Sequence, residues 1–430
     1  MTRRSEMMGT LRALSLKAGS APMTRLPRSL LRRLRRKPRE IRFYHRVDDA
    51  ESLLMLEGLI RLSDSVALSI ELIVVPEPSA DFDPEPALSM ARKRRDAHEL
   101  ARRHALPPLP AEIDEPPLAR VRMIQAILLN EEDGDARLRL ASELSRALFR
   151  DEGEIIAEAA REIPPLSSLD LRLTLEANYK RLRSEGFYEG ACFFTEGERF
   201  VGVESLGDFE TRVLRGSRAA NEDELRHSPE APLEIHVGAR HQLVFIGSLE
   251  RASDAMALLA LYPLKDALDL RVELIRPFRF AAMKEPEERV RRDRQRALEF
   301  ARRRGLKFGP FHEPSRAGLA RGYALFALAQ EEGRGAEVLA AIYRGIWQEA
   351  RDLAVDGDLL TIAFEGGMSE ERALEAIERA GEEALEPPLS TERLFEIGLP
   401  EGPAFFGEDF TYSGLDRFAL LAERIGRGGA

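Results

Sequence analysis

The side chains best suited to proton transfer stand where a predicted strand meets a predicted helix. His45, Asp48 and Asp49 occupy this junction. An imidazole or a carboxyl group can exchange a proton with a bound substrate as a general acid or base. A carboxylate at a helix start also has a structural use, because it accepts hydrogen bonds from free backbone N–H groups and complements the helix dipole. The sequence leaves both roles open.

Cysteine and metal chemistry are restricted by the composition. The chain has one cysteine, Cys192, at the start of an apolar run, where this residue type is usually buried. A single cysteine excludes an internal disulfide, a CxxC redox pair and a multi-cysteine metal site. His236 and His241 are five residues apart in a strand-like run and fall on opposite faces, so no metal site is predicted. Neither a GxGxxG nor a Walker A sequence precedes a helix.

The charge is unevenly distributed along the chain. The net charge is −10, and residues 1–46 carry 14 Lys and Arg against two Glu, which leaves the remainder near −22 (−10 minus +12). An acidic body repels nucleic acid, so no nucleic-acid partner is expected. The chain has no apolar run long enough to cross a bilayer, and it has no secretion signal. We therefore predict a cytoplasmic protein with no integral membrane association. Leucines at helical spacing among the N-terminal arginines predict a short basic amphipathic helix.

A segment near the C-terminus repeats an earlier one without gaps. Residues 398–421 echo residues 186–209 at an offset of 212. The identical pairs are Gly186/Gly398, Glu189/Glu401, Gly190/Gly402, Phe193/Phe405, Phe194/Phe406, Glu196/Glu408 and Gly202/Gly414. Further matches follow the same order at offsets of 202 and 200, as between Phe43 and Phe245 and between Ala97 and Ala297. Chance matches would not keep one order, so the sequence predicts a tandem duplication.

Each copy is predicted to contain the same elements. Residues 41–49 alternate as a strand, residues 50–62 have helical apolar spacing and residues 65–78 are rich in β-forming residues, which together indicate a βαβ unit. A block of helices, two short strands and a last helix follow. We therefore predict an α/β protein with two tandem thioredoxin-like domains, each with an inserted all-helical subdomain. The predicted parts are a basic extension over 1–39, domains over 40–215 and 232–430, and a linker over 216–231.

Five segments carry a resemblance to a known family. They are IYRGIWQEARDL (342–353), GLPEGPAFF (398–406) and YSGLDRFALLAERI (412–425), with FYHRVDDAESLL (43–54) and GFYEGACFF (186–194) in the first copy. Over about residues 40–427 the chain resembles the DsbA-like proteins. It is most similar to the branch that contains 2-hydroxychromene-2-carboxylate isomerases and kappa-class glutathione transferases.

The resemblance implies a ligand site at the start of the helix that follows the first strand of each domain. In relatives that exchange disulfides this helix start carries CxxC. In the isomerase and transferase branch it carries Ser followed by Pro, and the ligand is glutathione. Arg251 and Ala252 fall at the Ser-Pro position of the second copy. An arginine there can bind an anion or remain a solvated charge.

The resemblance also implies a cis-proline loop opposite that helix start. Gly402, Pro403 and Ala404 match this loop, and X–Pro is the bond type that tolerates the cis form. Asp416 falls where transferase-like relatives hold the amino group of glutathione, although an Asp here could instead cap the last helix. The first copy has Ala191 at the proline position. Because a cis bond before a non-proline residue costs roughly 2.5–4 kcal/mol, that bond is predicted to be trans.

The residues and the resemblance together predict a degenerate member of this family. It lacks redox cysteines and binds a small molecule or a partner. The alternative is a glutathione-dependent isomerase or transferase that uses the Pro403 loop and the helix start at Arg251. A disulfide oxidoreductase is not expected. Glutathione is the one cofactor implied, a small-molecule thiol or anion is the expected partner, and a homodimer is left open.

Overall fold

The computed structural model describes residues 38–110, 112–214, 242–275, 287–382 and 392–426. These residues fall into two compact units, the first within 38–214 and the second within 242–426. The predicted N-terminal helix, the predicted linker, His236 and His241 lie outside the described residues.

The first unit begins with a strand, a helix and a second strand. Its strands are β1 (Arg39–His45), β2 (Leu68–Val74), β3 (Cys192–Thr195) and β4 (Glu198–Val201). Its helices are α1 (Ala50–Ser63), α2 (Pro86–Arg103), α3 (Leu118–Asn130), α4 (Gly134–Phe149), α5 (Gly153–Glu162), α6 (Ser168–Ser184) and α7 (Ser205–Leu214). Along the chain, helices α2–α6 come between β2 and β3, which is where the helical insertion was predicted.

The first sheet has the strand order β2-β1-β3-β4. Strand β1 is parallel to β2, whereas β3 is antiparallel to β1 and β4. Alternation along β1 sends Phe43 and Tyr44 to opposite faces, across from Phe193 and Cys192 of β3. Tyr44 and Cys192 pack against Leu182 of α6, and the Phe193 face packs against α7. Helices therefore cover both faces of the sheet, and Cys192 lies in the core as expected.

The second unit repeats this order of elements. Its strands are β5 (Leu243–Gly247), β6 (Leu270–Leu274), β7 (Ala404–Phe406) and β8 (Thr411–Ser413). Its helices are α8 (Ala252–Leu261), α9 (Lys265–Leu268), α10 (Glu287–Arg304), α11 (Arg316–Glu331), α12 (Gly335–Gln348), α13 (Asp356–Glu365), α14 (Glu370–Glu382), α15 (Glu392–Glu396) and α16 (Phe418–Gly426). Short 3-10 turns cover Tyr262–Leu264 and Leu415–Arg417.

The second sheet has the strand order β6-β5-β7-β8. Strand β5 is parallel to β6, and β7 is antiparallel to β5 and β8, so the directions match those of the first sheet. Phe245 lies opposite Phe405, and the ring of Phe418 from α16 meets Phe405 edge-on at 5.9 Å between centroids. Ile246 lies opposite Ala404 on the other face, in a separate apolar cluster. The predicted mixture of helices and sheet is confirmed, with two four-stranded sheets.

No helix within the described ranges is long and apolar enough to cross a membrane.

Candidate functional site

The start of α1 in the first unit is capped by Asp49, which also forms an ion pair with Lys93. Asp49 is the N-cap residue, and its Oδ1 accepts hydrogen bonds from the backbone N–H groups of Glu51 at 2.9 Å and Ser52 at 3.3 Å. Its Oδ2 accepts a hydrogen bond from Lys93 Nζ of α2 at 2.7 Å. Lys93 also donates to Glu189 at 3.0 Å. Burial alone would lower the pKa of Lys93, but the two carboxylates raise it, so Lys93 stays charged.

His45 and Asp48 are likewise engaged within the protein. The ring of His45 is fully buried, with Nδ1 at 2.9 Å from Ser52 Oγ and Nε2 at 3.0 Å from Ser145 Oγ. Burial lowers the pKa of His45 to about 4, so the ring is neutral at neutral pH. Asp48 accepts two hydrogen bonds from the guanidinium of Arg46, at 2.9 and 2.8 Å. Of the predicted proton-transfer residues, His45 and Asp49 are wholly enclosed.

The remaining parts of the first site also face inward. The bond before Ala191 is trans, as predicted, and Ala191 has a positive φ of 53°. Gly190 lies so close to Arg46 that an added Cβ would stand 2.6 Å from the Arg46 Cβ. Glu204 accepts a hydrogen bond from Arg103 at 3.0 Å and lies 3.4 Å from His104. These contacts pair the polar groups of this segment with other groups of the protein.

In the second unit a distant aspartate caps the corresponding helix. Arg251 is the N-cap residue of α8, but its side chain makes no capping hydrogen bond. Asp293 of α10 takes that role, because its Oδ2 accepts the N–H groups of Ala252 at 2.8 Å and Ser253 at 3.4 Å. The Ser253 hydroxyl donates to the other oxygen of Asp293. A carboxylate of the protein thus occupies the position where a helix N-terminus binds an anion.

A buried carboxyl group of α8 faces the predicted cis-proline loop. Asp254 is 1% exposed, and its Oδ2 accepts the N–H of Ser248 at 2.7 Å. Burial and the neighbouring Asp293 raise the pKa of Asp254 well above its usual value, which favours the neutral acid. An added Cβ on Gly402 would stand 3.2 Å from Asp254 Oδ2. The loop therefore approaches this carboxyl group closely.

The loop itself has the predicted form. The Gly402–Pro403 peptide bond is cis, and β7 begins at Ala404, beside Ile246 at the end of β5. The carbonyl oxygen of Pro403 accepts the N–H of Gly414 at 2.8 Å, which ties the loop to the segment after β8. The structure thus brings the helix start at Arg251 and the predicted loop together around Asp254.

Arginines surround the residue that precedes this loop. Glu401 forms an ion pair with Arg289 of α10. Burial would raise the pKa of Glu401, but Arg289, Arg251, Arg296 and Arg292 together hold it below its usual value. The carboxylate of Glu401 is therefore held in its charged form by arginine side chains.

Asp416 does not begin the last helix. It lies within the 3-10 turn Leu415–Arg417, and the cap of that turn is Gly414. Its carboxylate accepts a hydrogen bond from the fully buried guanidinium of Arg417 at 2.9 Å. Asp416 therefore lies in the turn that precedes α16, and its carboxylate is paired to Arg417.

The sequence did not indicate Asp254, Ser253 or Asp293 as parts of the site. The sequence contained one indication of Asp293. This residue stands 200 positions after Lys93, and 200 is the offset at which the sequences of α2 and α10 match. A cleft of about 740 Å³ lies elsewhere in the second unit, among β6, α9, α11 and α12. Among the residues that the structure describes, no group of His, Cys, Asp and Glu is suited to hold a metal ion.

Comparison with known proteins gives structural likenesses only. No protein-family model and no curated protein matches this chain. It is similar to a structure described as a probable DsbA oxidoreductase from Streptomyces coelicolor, with 19% identity over 44% of this chain and 88% of that chain, and a TM-score of 0.33. It is also similar to a 2-hydroxychromene-2-carboxylate isomerase, with 19% identity over 43% of this chain and 94% of that chain, and a TM-score of 0.31. Both are kinds of protein that the sequence resembles, and the likeness concerns the fold.

Proposed function

We propose that this chain is a degenerate tandem DsbA-like protein whose second unit binds a small molecule or a partner beside the Pro403 loop. The contact of Asp293 with the start of α8 carries the proposal. In catalytic relatives that position would receive the reacting thiol or a hydroxyl partner, whereas here it holds a carboxylate of the protein. The close approach of the Gly402–Pro403 loop to Asp254 of the same helix supports a retained binding function.

A tandem duplication is supported by the pairs at the two helix starts. Asp49 and Arg251 are N-cap residues at an offset of 202, and Lys93 and Asp293 approach these helix starts at an offset of 200. The charges are reversed between the two units. Two sheets of the same strand order and these equivalent contacts fit an ancestral domain that was copied and then diverged.

Disulfide exchange does not fit the single thiol. Cys192 lies in the core, and its Sγ donates to the carbonyl oxygen of Glu189 at 3.2 Å. A reactive cysteine needs a thiolate that reaches solvent near positive charge. We therefore propose no redox role for this protein.

A glutathione-dependent isomerase or transferase is the second candidate. It is favoured by the retained loop and by Ser253, whose hydroxyl lies at the start of α8. In this alternative Arg251 and Ala252 would face the thiol, Gly402, Pro403 and Ala404 would align the peptide backbone, and Asp416 would meet its amino group. Asp293 would have to leave the helix start before a thiolate could occupy it.

Hydrogen exchange measured with and without glutathione tests both candidates. A binding protein should show slower exchange in residues 401–404 and 252–254 at about 10 mM glutathione, and binding in large excess over Kd should add about 2–4 kcal/mol to its stability. No turnover of 2-hydroxychromene-2-carboxylate should accompany this protection. Turnover would establish the enzyme candidate instead. If glutathione protects neither segment, the proposed site is wrong.

A further inference from the structure

A serine side chain at the start of α8 lies between two acidic side chains. The hydroxyl group of Ser253 donates a hydrogen bond to Asp293 of α10. The same oxygen lies 3.4 Å from Asp254 Oδ1. A hydroxyl group has one proton to donate, so Ser253 cannot donate to Asp254 at the same time. The contact between Ser253 and Asp254 is therefore a hydrogen bond only when Asp254 carries a proton and donates it to Ser253.

The Gly402–Pro403 loop packs on the same carboxyl group. A Cβ on Gly402 would stand 3.2 Å from Asp254 Oδ2, and 3.4 Å from both Asp254 Oδ1 and the carbonyl oxygen of Ile246. The loop backbone therefore covers both oxygens of the buried Asp254 side chain. Asp254 accepts the N–H of Ser248 at 2.7 Å, but one such bond does not replace the hydration that an ionised carboxylate has in water. The closed loop thus favours the protonated form of Asp254.

The charged groups around Asp254 favour the same form. Burial is the main cause that raises the pKa of Asp254, and Asp293 of α10 and Glu401 of the loop raise it further. Arg251 at the N-cap of α8 and the N–H of Ser248 lower this pKa, but the net direction is upward.

Tyrosine and arginine side chains complete these surroundings. From α12, the hydroxyl group of Tyr343 donates to the carbonyl oxygen of Ser248 at 3.1 Å. Burial raises the pKa of Tyr343 well above its usual value, so this group stays neutral. Arg289 of α10 pairs with Glu401, and the pKa of Glu401 lies below its usual value. Glu401 therefore keeps a negative charge that opposes the ionisation of Asp254.

We propose that Asp254, Ser253 and Asp293 form a proton-dependent latch for the Gly402–Pro403 loop. The loop stays closed on α8 while Asp254 carries a proton, and it opens when Asp254 loses that proton to solvent. Loss of the proton removes the hydrogen bond to Ser253 and sets a buried negative charge beside the carboxylate of Asp293. The inference rests on the proposed function, because it assigns a regulation by pH to that ligand site.

Hydrogen exchange of the full chain without ligand, measured from about pH 5 to about pH 8, tests the latch. An exposed aspartate has a pKa of about 4, so above that pH each opening of the loop should release one proton. The protection of Gly402 and Ala404, corrected for the pH dependence of exchange itself, should therefore fall about tenfold per pH unit up to the pKa of Asp254 in the closed form.

Two matched variants show whether Asp254 is the group that responds. Asp254→Asn keeps an oxygen for the N–H of Ser248 and an N–H for Ser253, but it cannot ionise, so its protection should not change with pH. Asp266→Asn makes the same change at a residue that is 91% exposed, and its profile should match that of the parent. The latch is overturned if protection in the parent does not fall with pH, or if it falls as steeply in Asp254→Asn.

Infrared spectroscopy of the parent protein detects the proton directly. A band of a protonated carboxyl group should be present at neutral pH and should be missing from Asp254→Asn. Asp293→Asn removes the neighbouring negative charge, so the band should disappear at a lower pH than in the parent. A parent protein without this band at neutral pH would show that Asp254 is ionised in the closed form, and the latch would be wrong.

The latch and the proposed ligand site can fail separately. If protection does not depend on pH but glutathione still slows exchange in residues 401–404, the latch is wrong and the ligand site stands. If protection follows pH as expected but glutathione has no effect, the latch stands and the proposed ligand site is wrong.

Discussion

Asp293 and Ala252 are forty-one residues apart, and the carboxylate of one accepts the backbone N–H of the other at 2.8 Å. This contact satisfies a donor that every helix start leaves open. It also means that a carboxylate of the protein already accepts the free N–H groups at the start of α8.

Replacing Asp293 by Ala should destabilise the second unit by about 0.5–2 kcal/mol, the usual cost of a lost helix cap. Urea unfolding would measure the change. Asp293→Asn keeps one oxygen acceptor and should lose less. Asp266→Ala is a suitable control, because Asp266 is 91% exposed and the substitution should cost no more than about 0.5 kcal/mol. An Asp293→Ala protein as stable as the parent would show that this contact contributes nothing.

Replacing Lys93 by Met should destabilise the first unit more strongly. Asp49 would keep its helix N–H donors but would become a buried carboxylate without a counter-charge, which typically costs about 3–5 kcal/mol. The double variant with Asp49→Asn should lose less than the sum of the single variants, because the two residues are in contact. Lys180→Met, at an exposed position of α6, supplies the control. Additive losses would contradict a direct pair.

The stability of the first unit should fall in acid because of His45. Its pKa is about 4 in the folded protein, against about 6.5 for a histidine in an unfolded chain. Between these values the unfolded chain binds a proton that the folded protein does not, so the free energy of unfolding falls as pH is lowered from about 6.5 towards 4. The full difference corresponds to about 3 kcal/mol.

Urea unfolding across this pH range provides the measurement. His45→Gln should flatten the dependence, although it also disturbs the hydrogen bonds to Ser52 and Ser145. His98→Gln changes an exposed histidine and should leave the slope unaltered. If the His45→Gln protein is as sensitive to acid as the parent, groups other than His45 cause that sensitivity.

Two glycines at equivalent places in the two loops should differ in their tolerance of a methyl group. A Cβ on Gly190 would stand 2.6 Å from the Arg46 Cβ and 3.0 Å from the Arg46 backbone nitrogen, so the backbone must move. A Cβ on Gly402 would stand 3.2 Å from a carboxylate oxygen of Asp254, a milder conflict. Gly190→Ala should therefore cost more than Gly402→Ala, within the range of about 1–3 kcal/mol typical of overpacking. Thermal unfolding of the two variants would establish their order.

Local periodicity was sufficient to predict the elements of the fold. Alternation predicted β1, and helical spacing predicted α1, because each pattern reflects one buried face of one segment. The cis bond before Pro403 was expected from the resemblance of Gly402, Pro403 and Ala404 to a cis-proline loop, since proline makes the cis form accessible. All of these features depend on residues that are close together in the chain.

The contacts within the site could not be read in the same way. Asp293 reaches the start of α8 from an inserted helix, and nothing near Arg251 in the sequence reveals it. Similarly, Asp416 was compared with a ligand-binding acid, but its partner Arg417 is fully buried, which depends on packing by distant elements. Burial and long-range pairing decide these roles, and neither leaves a local pattern.

The reversed charges at the two helix starts affect which inserted helix can dock at which helix start while the chain folds. Helix α2 brings a lysine to Asp49, whereas α10 brings an aspartate to the helix that begins after Arg251. If α10 closed on the first sheet, Asp293 would meet Asp49, and if α2 closed on the second, Lys93 would meet Arg251. Both errors would bury like charges, which is costly. The sign of the charge at each helix start therefore disfavours an exchange of α2 and α10 between the two units.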